Sequence, residues 1–213
     1  MTGKNFPHDP NAVTVALKAL GKRDPRMARA AKATGPLPER GLPKGFATLA
    51  KIIVEQQLSV AAAEAIWGRI VKDLGRITPQ AFLSRDVPHL RSLGLGARKA
   101  EYVQGIARAI GDKSLKLRSL KNFSDDEAMV HLTAIRGVGP WTAEIYLLFA
   151  EGRPDIFPAG DVALQAAAQV VLELPNRPDT DGMRTLSEQW RPHRGTAARL
   201  LWRYYRVMKE GGV

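Results

Sequence analysis

One carboxylate and one glycine turn carry most of the chemical information in this chain. Asp161 follows Phe157-Pro158-Ala159-Gly160 and opens the run DVALQAAAQVVLEL. A carboxylate at a helix start meets the positive end of the helix dipole and the free N–H groups of the first turn. Both hold it ionised, which suits an electrostatic stabiliser of developing positive charge better than a proton donor. A plain N-cap contributing about 1 kcal/mol also accounts for Asp161 taken alone. Upstream lies Gly137-Val138-Gly139, between LTAIR and PWTAEIYLLFAEG. Alternating glycines permit a tight turn with positive φ and a close backbone approach, and Pro140 suits the first position of a helix. The first-turn N–H groups after it, at Trp141 and Thr142, form an anion site of the kind that holds a phosphate. A simple helix–turn–helix connection is the alternative. Arg136 in the turn, and Arg98 and Lys99 at another glycine-rich helix start, are phosphate candidates or solvated charges. His8, His89, His131 and His193 are scattered and form no metal-ligand spacing.

The elements that must position these groups read as helices. Short helical patterns cover 12–20 and 25–33, and a Pro/Gly-rich connection covers 36–45. Phe46, Leu49, Ile52 and Ile53 share one face of a helix over 46–57. Ser59 caps a helix that stops at Gly75, and Thr78-Pro79 and Asp86-Val87-Pro88 open two more. A helix follows over 94–113. Ser124-Asp125-Asp126-Glu127 has the form of a capping box leading into the hairpin. A last helix starts near Gly195. No strand alternation, repeat or low-complexity tract interrupts this pattern. The expected class is all-α, and the length suits one large domain or two small ones sharing a cleft.

Lys and Arg number 32 against 21 Asp and Glu, a net charge of +11. That excess points to a polyanionic partner, nucleic acid first. There are no cysteines, which excludes disulfides, thiolate zinc sites and iron–sulfur clusters. No run approaches 18 continuous apolar residues, and the N-terminal stretch lacks a signal-peptide pattern. The expectation is an intracellular protein (cytoplasm, nucleoid or nucleus) that does not bind membrane, monomeric by default.

IRGVGPWTAEIYLLFA followed by RPDIFPAGDVAL resembles the helix-hairpin-helix motif and downstream Asp of the helix-hairpin-helix DNA glycosylase superfamily. Together with IIVEQQLSVAAA and WRPHRGTAARLLW, it resembles the 3-methyladenine DNA glycosylase II family in its compact form, without an extra N-terminal α/β domain. The matches run in order over nearly the whole chain, and the resemblance implies a two-lobed helical bundle with an active-site cleft between the lobes: residues 46–160 as the hairpin lobe and 1–45 with 161–213 as the second, within one catalytic unit over 1–213. The resemblance implies that Asp161 is the catalytic carboxylate, that Trp141 stands where strand-cleaving members carry a lysine, and that Trp202 lines the base pocket. Tyr146 and Gln56 are further pocket candidates; Gln57 lies on the same cleft-facing helix. Gly137, Val138, Gly139, Arg136 and Thr142 would hold the DNA backbone. The main-chain carbonyls of Thr133, Ile135 and Val138 would hold a monovalent cation, Na+ or K+, and no other cofactor is required. LGLGARKAEY resembles the family's wedge loop, with Ala97 at the wedge position and Leu95 or Arg98 as substitutes.

The implied chemistry is hydrolysis of an N-glycosidic bond in double-stranded DNA. Cleavage builds positive charge on the sugar, which an ionised Asp161 would face. Bases alkylated at N3 of adenine or N7 of guanine are cationic and leave readily; an aromatic pocket would bind them after flipping. Trp67 and Trp190 are weaker pocket candidates than Trp141, Trp202 and Tyr146, with core packing the alternative for each. Tryptophan cannot form a Schiff base, so the expected product is an abasic site in an intact strand. The competing reading is a non-catalytic helix-hairpin-helix module, which needs neither Asp161 nor an aromatic pocket; a glycosylase or lyase for oxidised bases is argued against by Trp141.

Overall fold

Residues 9–212 are described in a computed structural model of the chain. Every regular element among them is helical: α1 (Pro10–Arg23), α2 (Pro25–Thr34), α3 (Phe46–Glu55), α4 (Val60–Leu74), α5 (Pro79–Leu83), α6 (Val87–Ser92), α7 (Ala97–Gly111), α8 (Asp125–Thr133), α9 (Pro140–Phe149), α10 (Val162–Val171), α11 (Thr180–Ser187) and α12 (Arg194–Lys209). Short 3-10 segments lie at Leu117–Asn122 and Glu188–Trp190. His8 lies outside the described residues. The chain divides into two compact units, one of Met1–Gly41 with Leu147–Val213 and one of Leu42–Tyr146.

The helix starts show why these segments fold locally. Asp9, Asp24, Ser59, Thr78, Asp86, Asp161 and Asp179 each accept a backbone N–H of the following first turn through a side-chain oxygen. Ser124 and Glu127 complete a reciprocal capping box before α8. Three helices begin on glycine instead: α3 on Gly45, α7 on Gly96, and α9, where Gly139 accepts the Ala143 N–H.

In the first unit, α12 packs on α1, α2 and α10. Its core joins Leu20, Met27, Leu164, Ala168, Met183, Trp190 and Leu201. Trp190 is wholly buried, with its ring 5.6 Å from that of Phe157. It is a core residue, and truncation to Ala would cost about 3–5 kcal/mol. The second unit is built around α7, on which α3, α5 and α6 pack, with α4 against α3. Phe46 and Phe82 meet edge to face at 5.6 Å in its core, beside buried Ile53, Val103 and Ile106.

Two stretches differ from the sequence reading. The run from Asp161 ends as a helix at Val171 rather than Leu174, because Leu172 leaves helical geometry and Glu173 turns to φ 55°. The segment Thr180–Ser187, which shows little apolar periodicity, is a helix held by its Asp179 cap and by buried Met183.

Candidate functional site

Asp161 stands at the N-cap of α10. Its Oδ1 accepts the N–H groups of Ala163 at 2.9 Å and Leu164 at 3.1 Å. The preceding turn is fixed from within the same unit: the Asp161 N–H donates to the Pro158 carbonyl, and Gln165 Nε2 donates to that of Ala159. Packing and four hydrogen bonds therefore aim a half-exposed carboxylate from a rigid helix end.

On α12 in the same unit, half-exposed Trp202 lies 5.7 Å from buried Phe149, centroid to centroid. The Arg40 guanidinium sits over this pair, 4.4 Å from the Phe149 ring and 5.7 Å from that of Trp202. Sequence reasoning passed over Arg40, since no local pattern tells where a connecting loop delivers one arginine. At the start of α12, Arg191 and Arg194 both pair with Asp155 and Glu188.

The hairpin belongs to the second unit. Gly137 has φ 96°, and a Cβ there would run into the side chain of Tyr102 on α7. Gly139 differs: it has no positive φ and no atom within 4 Å of where a Cβ would stand. The turn thus requires glycine only at Gly137. At Gly139 the missing side chain leaves the first turn of α9 open to an approach from outside. Arg136 is exposed beside it. Val138 is buried, and its N–H donates to the Ile135 carbonyl, which leaves that oxygen a second lone pair. The Thr133 hydroxyl donates to the Met129 carbonyl.

Three long-range bonds fasten the end of α3 to the neighbouring helix starts. Lys99 Nζ donates to the Val54 carbonyl at 2.9 Å and to that of Gln56. Gln56 Nε2 donates to Thr142 Oγ1 at 2.7 Å. Burial holds the Lys99 pKa below its ordinary value. Lys99 is thus spent on capping α3, while Arg98 beside it is exposed at the start of α7. Gln57 follows at φ 54°, and Leu58 is 39 % exposed at the turn.

Several sequence expectations take a different form here. Thr142 is 1 % exposed and its hydroxyl accepts from Gln56, so its side chain is taken up inside the fold. Tyr146 is 0 % exposed and its hydroxyl accepts the Gly45 N–H, the geometry of a core tyrosine. Leu95 is 1 % exposed, whereas Ala97 is partly exposed. Trp141 and Trp67 are partly exposed. His89 pairs with Asp73, and among the described residues no group of three or more His, Asp or Glu could hold a metal ion. No helix among them is long and apolar enough to cross a membrane.

Residues 50–192 match the family model described as HhH-GPD superfamily base excision DNA repair protein. A Bacillus subtilis protein named as a DNA-3-methyladenine glycosylase is 35 % identical over 161 residues, 72 % of this chain; the chain spans 56 % of that relative's length. The alkylbase DNA glycosidase-like protein mag2 of Schizosaccharomyces pombe is 29 % identical over 92 % of this chain and 95 % of its own. Among solved structures, the S. pombe 3-methyladenine DNA glycosylase in complex with abasic DNA superposes with a TM-score of 0.83 at 28 % identity, over 93 % of this chain and 98 % of that one.

Proposed function

The chain belongs to the HhH-GPD superfamily of base excision DNA repair proteins, and we propose that it excises alkylated bases from double-stranded DNA by hydrolysing the N-glycosidic bond. The observation that carries this reading is Asp161 held by two backbone N–H groups at the start of α10, in a chain resembling alkylbase glycosylases over nearly its whole length. A plain DNA clamp needs no such carboxylate.

In this reading the glycine-started helices α7 and α9 hold DNA phosphates through their first-turn N–H groups, aided by Arg98 and Arg136. The Thr133, Ile135 and Val138 carbonyls hold a monovalent cation beside that backbone, an electrostatic bridge with no part in bond breaking. The target nucleotide leaves the stack. We assign the filling of the gap to Leu58, an exposed apolar side chain on a turn that Lys99 and Gln56 fasten, rather than to buried Leu95. Trp202 takes the flipped base. Asp161 then faces the sugar as positive charge develops on it, stabilises that charge and orients the attacking water. Trp141 offers no amine, so the strand stays intact.

The test is base release from methylated duplex DNA, with strand nicking assayed before and after alkali. Free methylated base with nicks appearing only after alkali is the expected result. Tight duplex binding without release of any alkylated base would leave a DNA clamp; nicks before alkali would overturn the monofunctional assignment.

A further inference from the structure

The connection between α2 and Gly41 is tied along α12. Arg203 Nε donates to the Thr34 carbonyl at 3.2 Å, and Arg199, almost wholly buried, donates to that of Pro38 at 2.7 Å. These ties deliver Arg40 to the Phe149–Trp202 pair, where its guanidinium takes the position over the rings that a bound cation would take. Positive charge is crowded here. Burial, then the nearby charge of Arg40, hold the Arg199 pKa below its ordinary value, and Glu39 offsets this only in part.

An electron-rich ring with no cation over it draws a positively charged base. This pair already has one. We propose that Arg40 is a specificity-determining residue, a fixed positive charge at the base pocket that disfavours cationic alkylated bases relative to neutral ones. The inference rests on placing Trp202 in that pocket. A base methylated at N7 of guanine carries a positive charge into the site and is repelled by Arg40. A neutral cyclic adduct such as ethenoadenine, or hypoxanthine with its carbonyl oxygen, meets no such repulsion and can accept a guanidinium hydrogen bond. Arg40 thus grades substrates by charge while Asp161 acts on the sugar alike for all.

The experiment measures duplex binding and single-turnover excision for two lesions, 7-methylguanine and ethenoadenine. Arg40→Ala and Arg40→Lys are compared with the unchanged chain. Binding is measured in an Asp161→Asn background, so that affinity is read without turnover. Arg40→Ala should raise the ratio of cationic to neutral lesion by roughly tenfold in affinity, and in rate where excision occurs. Arg40→Lys, which keeps the charge, should stay within about threefold of the original ratio. Arg40 is exposed, so either change should cost no more than the roughly 1 kcal/mol of its ring contact and leave the chain folded. An unchanged ratio in Arg40→Ala, or a selective loss of the cationic lesion, overturns the proposal. A shifted binding ratio without any excision would retain Arg40 as the charge filter and overturn the glycosylase reading instead.

Discussion

The starts of α9 and α10 solve the same electrostatic problem in opposite ways. Each is the positive end of a helix dipole, with first-turn N–H groups that no carbonyl of the same helix can reach. At α10, Asp161 turns its own carboxylate onto the first-turn donors. At α9 the chain offers Gly139, which has no side chain to give, and nothing of the fold stands within 4 Å of the vacant Cβ position. A helix that closes its own first turn has a charge fixed in place and ready to act on something else. One that begins on glycine leaves its donors for a visiting anion. The contrast separates a residue that works on a reacting centre from a backbone that holds a ligand.

Substitutions test that division, beginning with the largest effect. Asp161→Asn keeps the cap, since the amide oxygen still accepts both N–H groups, but removes the charge. Excision should fall by at least about 100-fold, while Tm and duplex affinity stay near those of the unchanged chain. A loss of Tm matching the loss of rate would make Asp161 a cap and nothing more. The two hairpin glycines should then diverge. Gly137→Ala forces a Cβ into Tyr102 at a φ of 96° and should lower unfolding free energy by about 2–4 kcal/mol, read by denaturant titration. Gly139→Ala meets no neighbour, so its Tm should hold while duplex affinity drops roughly tenfold. Equal Tm losses at the two glycines would break the distinction.

The smallest expected effect concerns a helix that caps itself away from the site. Asp24 starts α2, bonds Arg26 through both carboxylate oxygens, and has its pKa lowered, chiefly by that bond. Its folded pKa lies below the unfolded value of about 3.9, so its contribution is present above that value and is lost as pH falls through the folded pKa. Asp24→Asn should therefore be less stable than the unchanged chain near neutrality, by about 1 kcal/mol, with the gap closing in more acid solution. Gly139→Ala has no such pH-dependent component; the Tm of both variants against pH makes the comparison.

Much of this was legible in the residues. Ser59, Thr78, Asp86, Ser124 and Asp161 cap the helices their positions suggested, because capping is chemistry between a side chain and its own first turn. The glycine turn, the all-helical class and the family resemblance were visible for the same local reason. What escaped was long-range. That Lys99 would reach Val54 and Gln56, that Thr142 would meet Gln56, and that Leu95 would turn inward while Leu58 faces out depend on how separate helices pack. Periodicity gives a helix its apolar face but does not say which loop leucine the packing leaves over. The Asp179-capped α11 had a start signal but too few apolar residues, Met183 and Leu186, to announce its face.

The double duty of Asp161 sets the paths open to a lineage of such chains. Were selection for chemistry relaxed in a duplicate copy, drift to Asn, Ser or Thr at this place would leave folding nearly untouched, whereas Ala, Val or Leu would weaken the start of α10 by about 1 kcal/mol. Retired copies would therefore gather at the small polar residues. The identity of this single residue would then record whether a descendant still works on DNA or only survives as a fold.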